Sequence, residues 1–280
     1  MTDGTALTRL TTPSGIALTA ARATPEHGAP VLFVHGIFAG AWSFGGWLTR
    51  FAAGGRSAYA IDLRGRAGSR PVADIGRVGL DDYVQDVRDA AALLDRPVLV
   101  GHSMGGLLAQ AVAAKGGCRA LVLICSAPPR GISLATPALV VRQLRHLWPM
   151  LASRPIVGGA AEHHALTLNR TAPDVAADAL ARFIPDSGRA ARELSLGTLA
   201  VAPESVRCPT LVVVAGDDRF VAPRVGDALA ARYQADRLDY PDHAHFIVAE
   251  PGWERVADDV ASWIDSAVVQ PGADDAQPSP

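Results

Sequence analysis

Short apolar runs recur along the chain at Val31–Val34, Tyr59–Ile61, Val98–Val100, Leu121–Cys125 and Leu211–Ala215. Each is continuous rather than alternating, the pattern of a strand buried on both faces in a parallel sheet covered by helices. Between the runs the period changes. Leu80, Val84, Val87, Ala91 and Leu94 recur at helical spacing, with Asp81 and Asp82 near the start as cap and dipole partners. Pro251 can open a second such stretch, in which Trp253, Val256, Val260, Trp263, Ile264 and Ala267 share one stripe and mark the last core helix. Ahead of the first run, Leu7–Ala23 carries two Thr, Leu and Ile-containing stretches around Pro13-Ser14-Gly15, which predicts two short strands at an antiparallel edge. The alternation as a whole predicts an α/β fold.

From Ala127 to Arg207 the alternation stops, and the chain becomes rich in Ala, Leu, Arg and Pro without a convincing strand. Such a length is too long for a structureless loop in a compact domain, so it reads as a helical insertion over the carboxyl edge of the sheet. The expected division is a core at 1–131 and 203–269, a helical cap at 132–202, and a flexible tail at 270–280.

Composition narrows the function. With 280 residues, 49% of them hydrophobic and 19% charged, the chain has apolar surface enough to fold, which excludes a largely disordered protein. Twenty-six basic and 28 acidic residues leave a net charge of −2, so no overall field draws the protein to nucleic acid or an anionic membrane, and neither partner is expected. Lys115 is the single lysine. Cys118, Cys125 and Cys208 are odd in number and lack close pairs, which suggests neither a disulfide framework nor a zinc site. Met1–Ala20 lacks a basic start followed by an apolar run, and no apolar stretch reaches membrane-spanning length; a cytoplasmic protein is expected.

The strongest chemical signal is Gly101-His102-Ser103-Met104-Gly105, which follows the run at Val98 and precedes the Ala and Leu-rich stretch from Leu107 to Ala114. A strand running into G-x-S-x-G and then into a helix is the context that makes the motif informative. Small residues at 101 and 105 permit a sharp turn that thrusts the Ser103 hydroxyl outward and leaves Met104 N–H at a helix start, suited to an oxyanion. A second donor should follow Val31-Leu32-Phe33-Val34-His35-Gly36; Ile37 N–H is the candidate and Phe38 N–H the alternate. His35 reads as a loop-ordering residue rather than a base.

With Val34-His35-Gly36, Asp62-Leu63-Arg64-Gly65, the Ser103 motif through Gly106, Ala215-Gly216-Asp217-Asp218, and His245-Phe246 with Glu250-Pro251, the chain resembles the α/β-hydrolase superfamily, in the serine-nucleophile branch with a cap. The resemblance implies a mostly parallel eight-stranded sheet and the order nucleophile, acid, histidine. Ser103, Asp218 and His245 obey that order. Asp217 competes with Asp218, because the Gly-to-Asp spacing is one residue shorter than the common form. His243 competes with His245, but only His245 precedes an aromatic and stands five residues before an acid, as the family pattern has it.

The implied activity is acyl transfer to water without a cofactor: a serine hydrolase cleaving a carboxylic ester or thioester through an acyl-enzyme on Ser103. A lyase or cyclase using the same triad, or a ligand-binding receptor with a residual triad, are the alternatives. Among the apolar cap residues, Leu144 and Trp148 are expected to bind a small-molecule acyl substrate, together with Phe38 and Phe246. Arg64, Arg66 and Arg70 read as a solvated basic loop, or else as the greeting site of a carrier-bound chain. His146, His163 and His164 lack the spacing of a metal site.

Overall fold

The computed structural model describes residues 6–268, so the tail expected at 270–280 lies outside the described residues. Strands β1 (Thr8–Thr11), β2 (Ala17–Ala21) and β3 (Val31–Val34) are followed by α1 (Gly45–Ala53), β4 (Ala58–Asp62), α2 (Leu80–Leu93), β5 (Val98–His102), α3 (Met104–Ala113) and β6 (Ala120–Ile124). The insertion then supplies α4 (Pro137–Gln143), α5 (Leu147–Leu151), β7 (Pro155–Ile156), α6 (Ala160–Leu166), α7 (Pro173–Arg182), β8 (Asp186–Ser187) and α8 (Gly188–Ser195). The core resumes with β9 (Thr210–Ala215), α9 (Pro223–Tyr233), β10 (Asp236–Tyr240) and α10 (Trp253–Ala267).

Eight strands form one sheet in the order β1-β2-β4-β3-β5-β6-β9-β10, in which β2 alone runs against its neighbours. Alternate residues of each central strand point to opposite faces. Phe33, Val100, Val122 and Val213 meet α1 and α10 on one face, while Leu32, Leu99, Leu121 and Val212 meet α2, α3 and α9 on the other. Both faces are therefore dry, which is why the central strands are continuous apolar runs. Trp47 of α1 anchors the first face, stacked on Phe51 and edge-on to Phe33 and Phe44, with its indole N–H donating to the Val248 carbonyl at 2.8 Å. Strand β10 left no apolar run in the sequence because it is the sheet edge and only Tyr240 of Asp-Arg-Leu-Asp-Tyr is buried.

The insertion is helical apart from one feature that composition did not reveal. Pro155–Ile156 and Asp186–Ser187 pair as a two-residue antiparallel ladder, which ties its two halves together. The arginines of the loop after β4 also differ from expectation. Arg64 forks onto Asp86 of α2, with its Nη2 donating to Oδ1 at 2.8 Å, and Arg66 is buried against Asp186. Only Arg70 is exposed. A solvated basic loop and a carrier-greeting site are both ruled out for Arg64 and Arg66, whose charges are spent on internal carboxylates. All three cysteines are free thiols, although the Cys118 and Cys208 sulfurs lie 3.6 Å apart.

Candidate active site

Strand β5 ends at His102 and α3 begins at Met104, so Ser103 is the single residue of the turn. Its φ of 55° and ψ of −124° are strained for a residue with a side chain. Gly105 makes the tight approach possible, since a Cβ there would stand 2.1 Å from the Val34 carbonyl oxygen. Ser103 N–H donates to the Ile124 carbonyl at 3.1 Å, which fixes the turn to the neighbouring strand.

Two loops bring the other polar groups to this turn. His245, after β10, sets Nε2 3.0 Å from Ser103 Oγ and Nδ1 2.8 Å from Asp218 Oδ2. Asp218, after β9, uses its other oxygen to accept the N–H groups of Phe220 at 2.8 Å and Val221 at 2.7 Å. Ser103, Asp218 and His245 are all buried. The neighbours that compete in sequence are engaged elsewhere: Arg170 Nε donates to Asp217 Oδ2 at 2.6 Å on the surface, and His243 Nδ1 lies 3.2 Å from the buried Glu250. Glu250 also accepts the Ala244 N–H at 2.8 Å, so this pair holds the histidine loop in place.

The loop after β3 runs beside Ser103. A Cβ at Gly36 would lie 2.9 Å from the Ser103 Cβ, which explains the glycine. His35 Nδ1 donates to the Gly36 carbonyl at 2.8 Å while Nε2 faces the Leu63 N–H at 3.3 Å, an arrangement that suits neutral imidazole. Burial, reinforced by the Arg66 charge, pushes its pKa down to about 3. Phe38 has φ 66° and is held from both sides by the insertion: its N–H donates to Asp186 Oδ2 at 2.8 Å, and its carbonyl accepts from Ile184 N–H at 3.1 Å. The Phe38 N–H is thus occupied and is not available to an oxyanion. That leaves Ile37 as the candidate from this loop and Met104, at the start of α3, where N–H groups lack intrahelical partners.

The model of the alpha/beta hydrolase family matches residues 31–259. The chain belongs to this family. A monoacylglycerol lipase from Mycolicibacterium smegmatis is 27% identical over 84% of this chain and 87% of its own length. A rice protein, probable esterase PIR7A from Oryza sativa subsp. indica, is 40% identical over 86 residues, so the chain spans about a third (32%) of that relative's length. Among solved structures, an esterase from Thermogutta terrifontis superposes with a TM-score of 0.71 at 24% identity, covering 94% of this chain and all of its own.

In this member of the family Ser103 and His245 open onto a narrow cavity of about 50 Å³. Phe38 and Phe246 line it, as do Ile37 and, from the insertion, His163, Leu166 and Phe183. A second cavity of about 50 Å³ shares Ile37, Phe38, Glu162 and Phe220 with the first and continues between Leu139, Met150, Ile156 and Leu194. Leu144 and Trp148 line neither cavity: they are 60% and 70% exposed. The expectation that they bind substrate is corrected by the phase of the helical run, which turns Leu139, Gln143, His146 and Met150 inward instead.

Several neighbours of the site left no readable signal in the sequence. His102 lies under the His245 ring with centroids 4.9 Å apart and donates from Nε2 to the His245 carbonyl at 2.7 Å. Burial, with His245 adjacent, holds it down to about 3, so it stays neutral. Asp186 is fully buried and accepts from Phe38 N–H, Ser187 N–H, Tyr83 Oη and Arg66. Burial raises the Tyr83 phenol, keeping its proton for this contact. His163 sits against Phe38 and Phe183 at the cavity wall, and His146 pairs with Glu162 at 3.0 Å. Among the described residues no cluster of three or more His, Cys, Asp or Glu is arranged to hold a metal, and no helix is long and apolar enough to cross a membrane.

Proposed function

We propose that this α/β hydrolase cleaves carboxylic esters or thioesters through an acyl-enzyme on Ser103. The observation that carries the reading is the unbroken contact chain from Ser103 Oγ through the His245 ring to Asp218, at the mouth of a mostly apolar cavity. His245 Nε2 takes the Ser103 proton as Oγ attacks the acyl carbon. Asp218 holds the Nδ1–H tautomer and stabilises the imidazolium that forms. Its second oxygen is already saturated by two backbone N–H groups, so the carboxylate cannot rotate away from the histidine.

Ile37 and Met104 N–H groups are the donors for the tetrahedral oxyanion, each contributing about 10²–10³ in rate where such donors are preorganised. His245 then passes its proton to the departing alkoxide or thiolate. Water attacks the acyl carbon with His245 again accepting a proton, and Ser103 is restored as the acid product leaves.

Residues 132–202 act in this reading as a cap over the nucleophile, since the cavity is roofed by α6 and the segment around Phe183. Relatives named as an esterase and a monoacylglycerol lipase support an ester over other acyl derivatives. With Arg64 and Arg66 internally paired, the basic loop gives no support to a carrier-bound substrate. A fluorophosphonate tests the assignment: mass spectrometry should place one adduct on Ser103 and find none in Ser103→Ala. Labelling elsewhere, or none in folded protein, would overturn it.

A further inference from the structure

The helical run from Pro137 to Leu151 turns a mixed side toward the core and a wholly apolar stripe to solvent. Leu139, Gln143, His146 and Met150, at spacings of four, three and four, turn toward the second cavity and are buried or half-buried. The other side carries Val140, Val141, Leu144, Leu147, Trp148 and Leu151, all of them exposed, Trp148 by 70% and Val141 by 68%. The inner side, anchored by Leu139 and Met150, suffices to hold the run onto the protein. A wholly apolar outer stripe facing solvent is the mark of a surface that meets another apolar phase.

Charge on this segment is one-sided as well. Between Ala127 and Ala161 the chain has Arg130, Arg142, Arg145 and Arg154 but no Asp or Glu. Arg142 is exposed, and Arg145 remains 59% exposed although it reaches Glu162 at 3.6 Å. The whole-chain balance of −2 conceals this local excess. Arginines flanking a tryptophan and aliphatic stripe suit a helix lying in the headgroup region of an anionic lipid layer. A second copy of the chain fits less well, because two-fold apposition would set Arg142 and Arg145 against their own counterparts with no carboxylate in the segment to offset them.

We infer that the outer face of residues 137–151 docks on anionic lipid surfaces, and that the ester cleaved at Ser103 is a lipid delivered from that surface. The whole-chain expectation of no membrane partner is thereby revised for this face. Docking itself does not depend on the proposed chemistry; only the lipid identity of the substrate rests on it. The inner stripe of the docked run lines the second cavity, which adjoins the one at Ser103, so the apolar path is short.

The test separates the two. Ser103→Ala protein, which retains the docking face, is floated with vesicles of phosphatidylcholine and of phosphatidylcholine mixed with phosphatidylglycerol. It should bind the mixed vesicles more strongly and lose binding as salt rises. Adding Val141→Glu with Leu151→Glu should weaken partitioning at least about tenfold, and Arg142→Gln about fivefold. With Ser103 intact, the Val141→Glu/Leu151→Glu protein should lose about tenfold on a long-chain acylglycerol carried in mixed vesicles and less than about twofold on a dissolved short-chain ester. The inference fails if neither vesicle is bound, if the variants bind as wild type does, or if they keep full activity on the vesicle-borne ester. It also fails if the wild type dimerises through this face without binding vesicles. Vesicle binding together with absent fluorophosphonate labelling would instead remove only the Ser103 chemistry.

Discussion

Replacing Asp186 with asparagine tests whether the insertion holds the oxyanion loop in place. The side chain is fully buried and accepts from four donors, among them the Phe38 N–H at 2.8 Å and the guanidinium of Arg66. Asparagine keeps the shape, but its amide NH2 must face at least one of those donors. Arg66, 1% exposed at its side chain, then has no carboxylate to neutralise it. Breaking one side of a buried pair costs about 3–5 kcal/mol. At about 2–4 °C per kcal/mol for a chain approaching this size, the thermal midpoint should fall by about 6–20 °C.

A second effect is separate from stability. When the amide NH2 takes the Oδ2 position that Phe38 N–H and Arg66 share, Phe38, at φ 66°, keeps only its carbonyl contact with Ile184, and Ile37 N–H is one residue away. Loss of one well-placed oxyanion donor lowers kcat by about 10²–10³ with little change in KM, because the contact is made in the transition state. The assay is steady-state hydrolysis of a dissolved ester at a temperature where circular dichroism shows the variant folded. Adding Arg66→Leu to Asp186→Asn should recover part of the midpoint by removing the unpaired charge, yet leave kcat low. A folded variant with kcat within about threefold of wild type would refute the positioning argument.

His245→Ala should slow acylation by about 10⁴ or more and His243→Ala far less, since only His245 touches both Ser103 and a carboxylate; pre-steady-state ester turnover reads both, and Asp218→Asn against Asp217→Asn repeats the comparison for the acid. A more damaging His243→Ala would mean that the loop register is wrong. Acid should destabilise the fold early: His35 and His102 are held down to about 3 from an ordinary 6.5, so both are neutral in the native state and protonate first in the unfolded chain. Their contribution is complete above about pH 6.5 and is lost toward pH 3, each at about 1.4 kcal/mol per pH unit. Urea midpoints between pH 7 and 4 should show the decline, and His102→Gln should flatten it; an unchanged slope would contradict the burial argument.

Local sequence was decisive wherever one short segment carries its own physical constraint. The central strands are buried on both faces, so their apolar runs are unbroken, and the turn at Ser103 admits only small residues at fixed offsets, so it is legible as a motif. The edge strand at Asp236–Tyr240 lacks that constraint and left no run. What required tertiary structure were the pairings across long separations. Arg64 and Arg66 have the sequence of a solvated basic loop, and are buried because Asp86 and Asp186 stand 22 and 120 residues away. Asp217 and Asp218 are adjacent and chemically equal; the loop geometry alone sends one to Arg170 and the other to His245. In the run from Pro137 to Leu151, the helical repeat groups Leu139 with Met150 and Leu144 with Trp148, and only the packing of the insertion against the core turns Met150 inward and leaves Trp148 in solvent. A helix repeat fixes which residues share a face, but the direction of that face is set by what the rest of the chain brings beside it.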